Sequence, residues 1–307
     1  MKADIVVIGS LNVDLVVRTA RRPAPGETVS GDEFRMIPGG KGANQAVAAA
    51  RLGGKVAMLG RVGDDPFGQS LVGSLRAAGV HTDGVLRTPG VPTGTALIIV
   101  EHSGQNSIVV VAGANGLLSP ADVETAAEVI ASARVLMLQL EIPLDTVRKA
   151  VELAHNRRVT VLLDPAPARP LPPELLRQVD IITPNESEAA VLTGRQVTDL
   201  KSAKLAASDL LRQGANRVLI KLGPRGALLA EGNRFEHCRG FPVEAVDTTA
   251  AGDAFAGGLA VALVEGKDLS NAVTFANAVG ALSVTRFGAQ TSMPSRPEVE
   301  QFLRERG

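Results

Sequence analysis

The sequence predicts an α/β fold, a doubly wound and mostly parallel sheet flanked by helices, with a small β-sheet lid added to it. Three observations predict it. Short β-branched runs bounded by Gly, Pro or Asn recur along the chain, and stretches with helical periodicity lie between them. Tryptophan and tyrosine are absent and only eight phenylalanines occur, so the core is built from Val, Leu, Ile and Ala, which suits buried parallel strands under Ala-rich helices.

In chain order, strands are expected over Asp4–Gly9, Lys55–Gly60, Arg134–Leu140, Val159–Asp164, Val179–Thr183 and Arg217–Leu222. Helices are expected over Asn44–Leu52, Asp145–Asn156 and Lys201–Gln213. Alternating strand and helix signals imply βαβ units and hence a parallel sheet with helices on both faces. Asp14–Phe34 and Thr93–Val111 break the alternation and read as strands without helices, the second as a hairpin around Ser103–Asn106. They form the expected lid, contributed by residues of about 14–36 and 93–112 and laid over the sheet's edge. The five prolines of Pro165–Pro173 make a stiff surface loop inside a single domain over residues 1–307, a length that buries a large core without disulfide or metal staples.

Charge and composition exclude several classes of function. Lysine plus arginine number 32 and acidic residues also 32, so no net field draws in nucleic acid or an anionic membrane. A single cysteine, Cys238, rules out an internal disulfide, and the four histidines show no zinc-ligand spacing. Met1–Ile8 is too short and too acidic for a signal peptide, and no 18-residue apolar stretch occurs, so a soluble cytoplasmic protein is expected.

In an open parallel sheet, ligands bind outside the carboxyl ends of the strands, so the chemistry is sought there. After the first strand, Asn12 and Asp14 stand two apart and project to one side, an amide and a carboxylate able to hold vicinal hydroxyls; a local Asx turn explains them as well. Gly39-Gly40-Lys41-Gly42-Ala43-Asn44 opens an Ala-rich helix. Its glycines admit close approach of a ligand, Lys41 and Asn44 add polar contacts, and a plain Gly-rich turn is the alternative. Asp247-Thr248-Thr249-Ala250-Ala251-Gly252-Asp253 is a junction of tiny residues entering another helix. Bare N–H groups at Ala250, Ala251 and Gly252 can hold phosphate oxygens there. Asp253 beside them is either a cap or the base that takes a proton from an attacking hydroxyl; an acid placed at an anion site favours the second role. Asn185 and Glu188 fit a capping box or water-mediated magnesium, and Gly223 and Gly226 fit a nucleotide wall or a hairpin turn.

Together and in this order, these segments resemble the ribokinase-like (PfkB) carbohydrate kinases. Gly39–Asn44 resembles the family's amino-terminal signature and Asp247–Asp253 its carboxy-terminal one. Further matches at Asn12–Asp14, Gln139–Glu141, Asp164–Arg169, Thr183–Glu186 and Arg286–Gln290 spread the resemblance over nearly the whole chain. It implies a ribokinase-like fold whose lid covers a sugar and forms a homodimer contact. It also implies ATP-dependent phosphorylation of the 5-hydroxyl of D-ribose. Asn12, Asp14, Gly40, Lys41, Asn44 and Glu141 would bind the sugar, with Asp253 as base. Asn185, Lys221, Gly223, Gly226, Gly252 and Asn277 would face ATP, and Glu188 would place Mg2+ through water. Asp247, Thr249, Ser283, Arg286, Gly288 and Ser292 would surround a monovalent cation, K+ in most members. Two positions depart from the pattern: Ala250 stands where the common form has glycine, and Lys221 where Thr is frequent, which leaves the nucleotide preference open.

Phosphoryl transfer has a loose transition state, so positioning and charge stabilisation do most of the catalysis, and a carboxylate near its ordinary pKa of about 3.9 is ionised at neutral pH. Rival readings are a family member acting on deoxyribose, fructose or a nucleoside, and a catalytically silent sugar-binding regulator. The nucleoside option is weakened because Phe34 and Phe67 are the only aromatic residues before residue 150. A Rossmann dehydrogenase would need Gly-x-Gly-x-x-Gly after a strand, where this chain has Gly9-Ser10-Leu11-Asn12.

Overall fold

The computed structural model describes residues 3–306, so Met1 and Lys2, part of the leader reading, lie outside the described residues. The strands are β1 (Ile5–Ile8), β2 (Asn12–Thr19), β3 (Gly31–Gly39), β4 (Val56–Gly63), β5 (His81–Thr88), β6 (Gly94–Glu101), β7 (Asn106–Val111), β8 (Val135–Leu138), β9 (Thr160–Leu163), β10 (Ile181–Ile182), β11 (Arg217–Lys221), β12 (Ala227–Glu231) and β13 (Arg234–Cys238). The helices are α1 (Lys41–Arg51), α2 (Pro66–Ala77), α3 (Pro120–Thr125), α4 (Ala127–Ser132), α5 (Leu144–Asn156), α6 (Pro173–Leu176), α7 (Glu186–Thr193), α8 (Leu200–Arg212), α9 (Ala251–Val264), α10 (Leu269–Ser283) and α11 (Arg296–Arg306).

Nine strands form one sheet in the order β13-β12-β11-β10-β9-β8-β1-β4-β5. It is parallel from β5 to β11, and β12 and β13 close it as an antiparallel hairpin. Alternation along β1 divides the core: Ile5 and Val7 enter one apolar layer with α1, α2, α9, α10 and α11, while Val6 and Ile8 enter the other with α3 to α8. Strands buried on both faces are apolar almost throughout, Thr160 at the start of β9 being the exception, which is why near-continuous apolar runs mark β1, β8 and β9 in the sequence. Among the described residues no helix is long and apolar enough to cross a membrane.

A second sheet of four strands, ordered β3-β2-β6-β7, forms the lid. β2 leaves the carboxyl end of β1 after three residues and β3 returns the chain directly to α1, so the lid stands over the end of the sheet where ligands are expected. Its first two strands span 12–39, slightly wider than expected because Asn12 and Gly39 pair across β2 and β3, and its second two span 94–111, just inside the expected bounds. The strand β5 and the hairpin β12–β13 were not anticipated. β5 is a partly exposed edge strand carrying Asp83 and Gly84, which are poor strand formers.

The packing of α9 on α1 positions the site. A Cβ added at Gly257 would lie 2.6 Å from the Ala48 side chain, so the missing side chain lets the two helices approach. Gly42 does the same on the other side, where a Cβ would meet the Gly9 and Ser10 backbone at 2.7 Å.

Candidate active site

Gly39 ends β3, Gly40 is the residue before α1, and Lys41 is the first helical residue, three positions earlier than the sequence suggests. Gly40 has φ 87°, and a Cβ there would be 2.7 Å from Asn12 N, so glycine is required both by conformation and by space. Asn12 and Asp14 lie within β2, paired with Gly39 and Ile37, so the local-turn alternative does not hold. Asn12 is buried and its Oδ1 accepts a hydrogen bond from Asn115 Nδ2 at 2.7 Å. Asn115 also bonds both polar backbone atoms of Leu11, and this anchor was not singled out in the sequence.

Asp253, in the first turn of α9, is 4% exposed. It is not the cap: Ala250 occupies that position with no side-chain cap bond, and the Asp253 carboxylate instead faces α1. Asn44 Nδ2 donates to its Oδ2 at 2.9 Å and Gln45 Nε2 to its Oδ1 at 3.1 Å. Burial pushes the Asp253 carboxyl up to about 6, Lys41 opposing this, Asp164 adding to it, and the two amide donors restraining it. The expectation of an ordinary carboxylate is thereby corrected, although the group still ionises at neutral pH. Asp14 is pushed further, to about 7, by burial and then by the charges of Glu141 and Asp253.

Of the backbone donors, Ala251 N–H already bonds Thr248 O at 3.3 Å, leaving the Gly252 and Asp253 amides at the uncapped helix end. Ala250 has φ 58°, one of two non-glycine residues in the left-handed region among those described, which explains why glycine suits this position. Lys221 extends from the end of β11 towards this turn. Its ammonium would lie 3.2 Å from a Cβ at Gly252, and it donates to Asp164 Oδ1 at 2.7 Å.

Lys41 N donates to Glu141 Oε2 at 3.1 Å, and Ser10 Oγ donates to the same oxygen. Burial works to lower the Lys41 pKa, but the carboxylates of Asp253, Asp164, Glu141 and Glu188 outweigh it and hold the ammonium above its usual range. Lys41 thus stands among four acids, one of which, Asp164, is also paired with Lys221.

The capping box is realised: Asn185 Oδ1 accepts from Glu188 N at 2.8 Å and Glu188 Oε2 from Asn185 N at 2.7 Å. Burial raises the Glu188 pKa, opposed by Lys221 and reinforced by Asp164. Gly223 and Gly226 form the turn between β11 and β12, with φ 57° and 92°. Asn277 is buried on α10 and donates to Cys238 O and Arg239 O at 3.2 Å, tying the end of β13 to that helix.

Asp247 gathers two of the remaining predicted residues, Thr249 and Gly288. Its Oδ1 accepts from Thr249 N at 2.9 Å and Thr249 Oγ1 at 2.6 Å, and its Oδ2 from Gly288 N at 2.9 Å. Burial works against these bonds, yet they hold its carboxyl below the usual range. Ser283 and Ser292 direct their hydroxyl hydrogens to Gly280 O and Ala289 O, which leaves their oxygens free to accept. Arg286 pairs with Glu298, so only its backbone carbonyl is suited to a cation.

Sequence reasoning passed over Gln45 and Asn115, and named Gln139 and Ser10 only within longer segments, without a role of their own. Gln45 follows Asn44 directly, one position along a helix whose first turn was already suspect.

The sequence profile described as pfkB family carbohydrate kinase matches residues 2–296. A protein named ribokinase from Haemophilus influenzae is 44% identical over 303 residues, covering 99% of each chain. A deoxyribokinase from Salmonella typhi is 41% identical over 301 residues, covering 98% of each. The solved structure of Arabidopsis thaliana ribokinase complexed with ribose and ATP superposes with a TM-score of 0.94 at 36% identity, over 99% of each chain.

Proposed function

The chain belongs to the pfkB family of carbohydrate kinases, and from that premise we propose that it transfers the terminal phosphoryl group of ATP to the 5-hydroxyl of D-ribose, giving ribose 5-phosphate and ADP. The observation that carries the reading is the Asp253 carboxylate, buried, held by Asn44 and Gln45, and next to the uncapped amino end of α9. The full-length similarity to ribokinases, one of them solved with ribose and ATP, supports the substrate pair.

In this mechanism the sugar lies under the lid against Asn12, Asp14, Gly40, Lys41, Asn44 and Glu141. Its terminal hydroxyl gives its proton to Asp253 as the oxygen closes on the γ-phosphorus, and the bond to the ADP oxygen breaks. The Gly252 and Asp253 amides receive the charge that builds on the phosphoryl oxygens, a contact worth on the order of 10² in rate per donor. Asn185, Lys221, Gly223, Gly226 and Asn277 line the nucleotide side.

Magnesium bound with ATP would neutralise phosphate charge. Glu188 suits it through water, because each carboxylate oxygen keeps a lone pair beyond its capping bond. The segments drawn together by Asp247 would hold a monovalent cation through Thr249, Ser283, Arg286, Gly288 and Ser292, with backbone carbonyls and hydroxyls supplying neutral oxygens. We take residues 1–307 as one kinase unit acting in the cytoplasm as a lid-to-lid homodimer.

A second reading, deoxyribose as acceptor, is favoured by the Salmonella relative. Initial rates with ribose, deoxyribose, fructose and adenosine at fixed MgATP, with the phosphorylated carbon identified by NMR, decide between them. No product from ribose overturns the proposal.

A further inference from the structure

Four buried or nearly buried side chains connect the phosphate end of the site to its base. Lys221 Nζ donates to Asp164 Oδ1 at 2.7 Å, Gln45 Nε2 donates to Asp164 Oδ2 at 3.0 Å, and the same nitrogen donates to Asp253 Oδ1 at 3.1 Å. Gln139 Nε2 donates to Gln45 Oε1 at 2.6 Å, which fixes the end of the Gln45 amide that faces the carboxylates. A primary amide nitrogen carries two hydrogens, so this arrangement uses both, one for each acid. Asp164 and Lys221 side chains are only 3% and 12% exposed, and the ammonium stands over the Gly252 turn.

We propose that Asp164 and Gln45 are positioning residues: Asp164 holds the Lys221 ammonium beside the phosphate cradle until a nucleotide's phosphoryl oxygens take it over, and Gln45 passes that change of partner to Asp253. The inference rests on the kinase reading above and extends it. A buried ion pair whose cation can move to a better anion is an exchange, because neither state leaves the ammonium unpaired. Once the ammonium turns to phosphate, Asp164 loses its counter-charge while remaining bonded through Gln45 to Asp253. A less compensated negative neighbour raises the proton affinity of Asp253. The base therefore strengthens when the phosphoryl donor is in place, and no covalent step is added to the transfer.

The other charges around these groups stay fixed in this exchange. Lys41 of α1 and Asp14 of the lid face Asp253, and Lys41 and Glu188 act on the Asp164 side. None of them contacts the Gln45 amide, so Gln45 is the direct link.

The test is the pH dependence of kcat/KM for ribose, with KM for ATP, in the wild-type chain, Asp164→Asn, Lys221→Met and the double variant. Removing the Asp164 charge is expected to move the acid limb down by about one pH unit. Measured at sub-saturating ATP, where the wild-type ammonium still pairs with Asp164, Lys221→Met is expected to move it up, and it is expected to raise KM for ATP about tenfold. The double variant has no buried unpaired charge and so tests the idea even if a single variant fails to fold; its acid limb should follow Asp164→Asn and its KM for ATP should follow Lys221→Met. Folded variants whose acid limb coincides with the wild type, or an unchanged KM for ATP without Lys221, overturn the exchange. Wild-type chain inactive on ribose sinks the kinase reading instead, so the two failures are distinct.

Discussion

The Asn44 amide donates a hydrogen bond to the Asp253 carboxylate at 2.9 Å across 209 positions of sequence. This bond joins the first turn of α1 to the first turn of α9, and so joins the two segments that the sequence marks most clearly. Each helix brings its positive end to the same point, which favours a carboxylate there and, beside it, a phosphate. The close approach at Gly257 and Ala48 makes the bond geometrically possible.

Replacing Asp253 with Asn removes the proposed proton acceptor but keeps the shape. Turnover is expected to fall by about 10² or more. Because burial raises the carboxyl to about 6, its charge disfavours folding at neutral pH. The sign is that of a raised pKa: its stabilising contribution is complete below the unfolded value and is lost as pH rises through the folded one. The variant should therefore melt at the same or a higher temperature at neutral pH. Undiminished turnover by coupled ADP assay removes Asp253 from its proposed role.

The rate should depend on pH at the acid side of neutrality. Asp14 ionises at about 7 and Asp253 at about 6, so kcat/KM for the sugar declines as pH falls through that window, where both groups take up protons. Asp14→Asn removes the upper step and leaves the lower one in place, because Asp14 is already protonated where Asp253 titrates. A profile flat down to the ordinary carboxylate range contradicts the burial of both acids.

Much of this site was legible because glycines and acids at strand ends announce themselves. Gly39–Asn44 and Asp247–Asp253 needed no tertiary information to be noticed. Whether Asn185 and Glu188 are a cap or an ion site could not be read, since the same i, i+3 spacing serves both, and the structure realises the cap. The roles of Gln45, Gln139 and Asn115 were missed for a different reason. Each acts by bonding residues 94 or more positions away, and neutral amides leave no local pattern in a sequence. The raised pKa values of Asp14 and Asp253 depend on burial beside other acids, which only the assembled sheet and lid create.

Ala250 tests how much strain the phosphate turn carries. A non-glycine residue in the left-handed region costs about 1 to 2 kcal/mol, whereas glycine loses about 0.5 to 1 kcal/mol more chain entropy on folding. At φ 58°, Ala250→Gly is therefore expected to change stability by less than about 1 kcal/mol, on the stabilising side, with turnover retained. Ala250→Val adds a β-branched side chain at the same φ and should lower both the melting temperature and turnover. Equal melting curves for all three forms show that the turn is unstrained.

The lid supplies the last prediction. Phe34, Met36, Leu97, Ile108, Val109, Val110 and Val111 are each roughly half exposed or more, and β7 is an edge strand of the four-stranded sheet. Apolar side chains beside an unpaired strand edge favour a partner that covers them, and a second copy of the lid presents the same surface. Two copies of the 31.8 kDa chain are thus expected by light scattering. Phe34→Glu combined with Val109→Glu, two positions that the strand register sets on the same face, places like charges there and should yield the single-chain mass while the far-UV spectrum is kept. If the lid also needs its partner to close over the sugar, the same variant raises KM for ribose and leaves KM for ATP unchanged. A wild-type mass equal to one chain at all concentrations rejects the dimer.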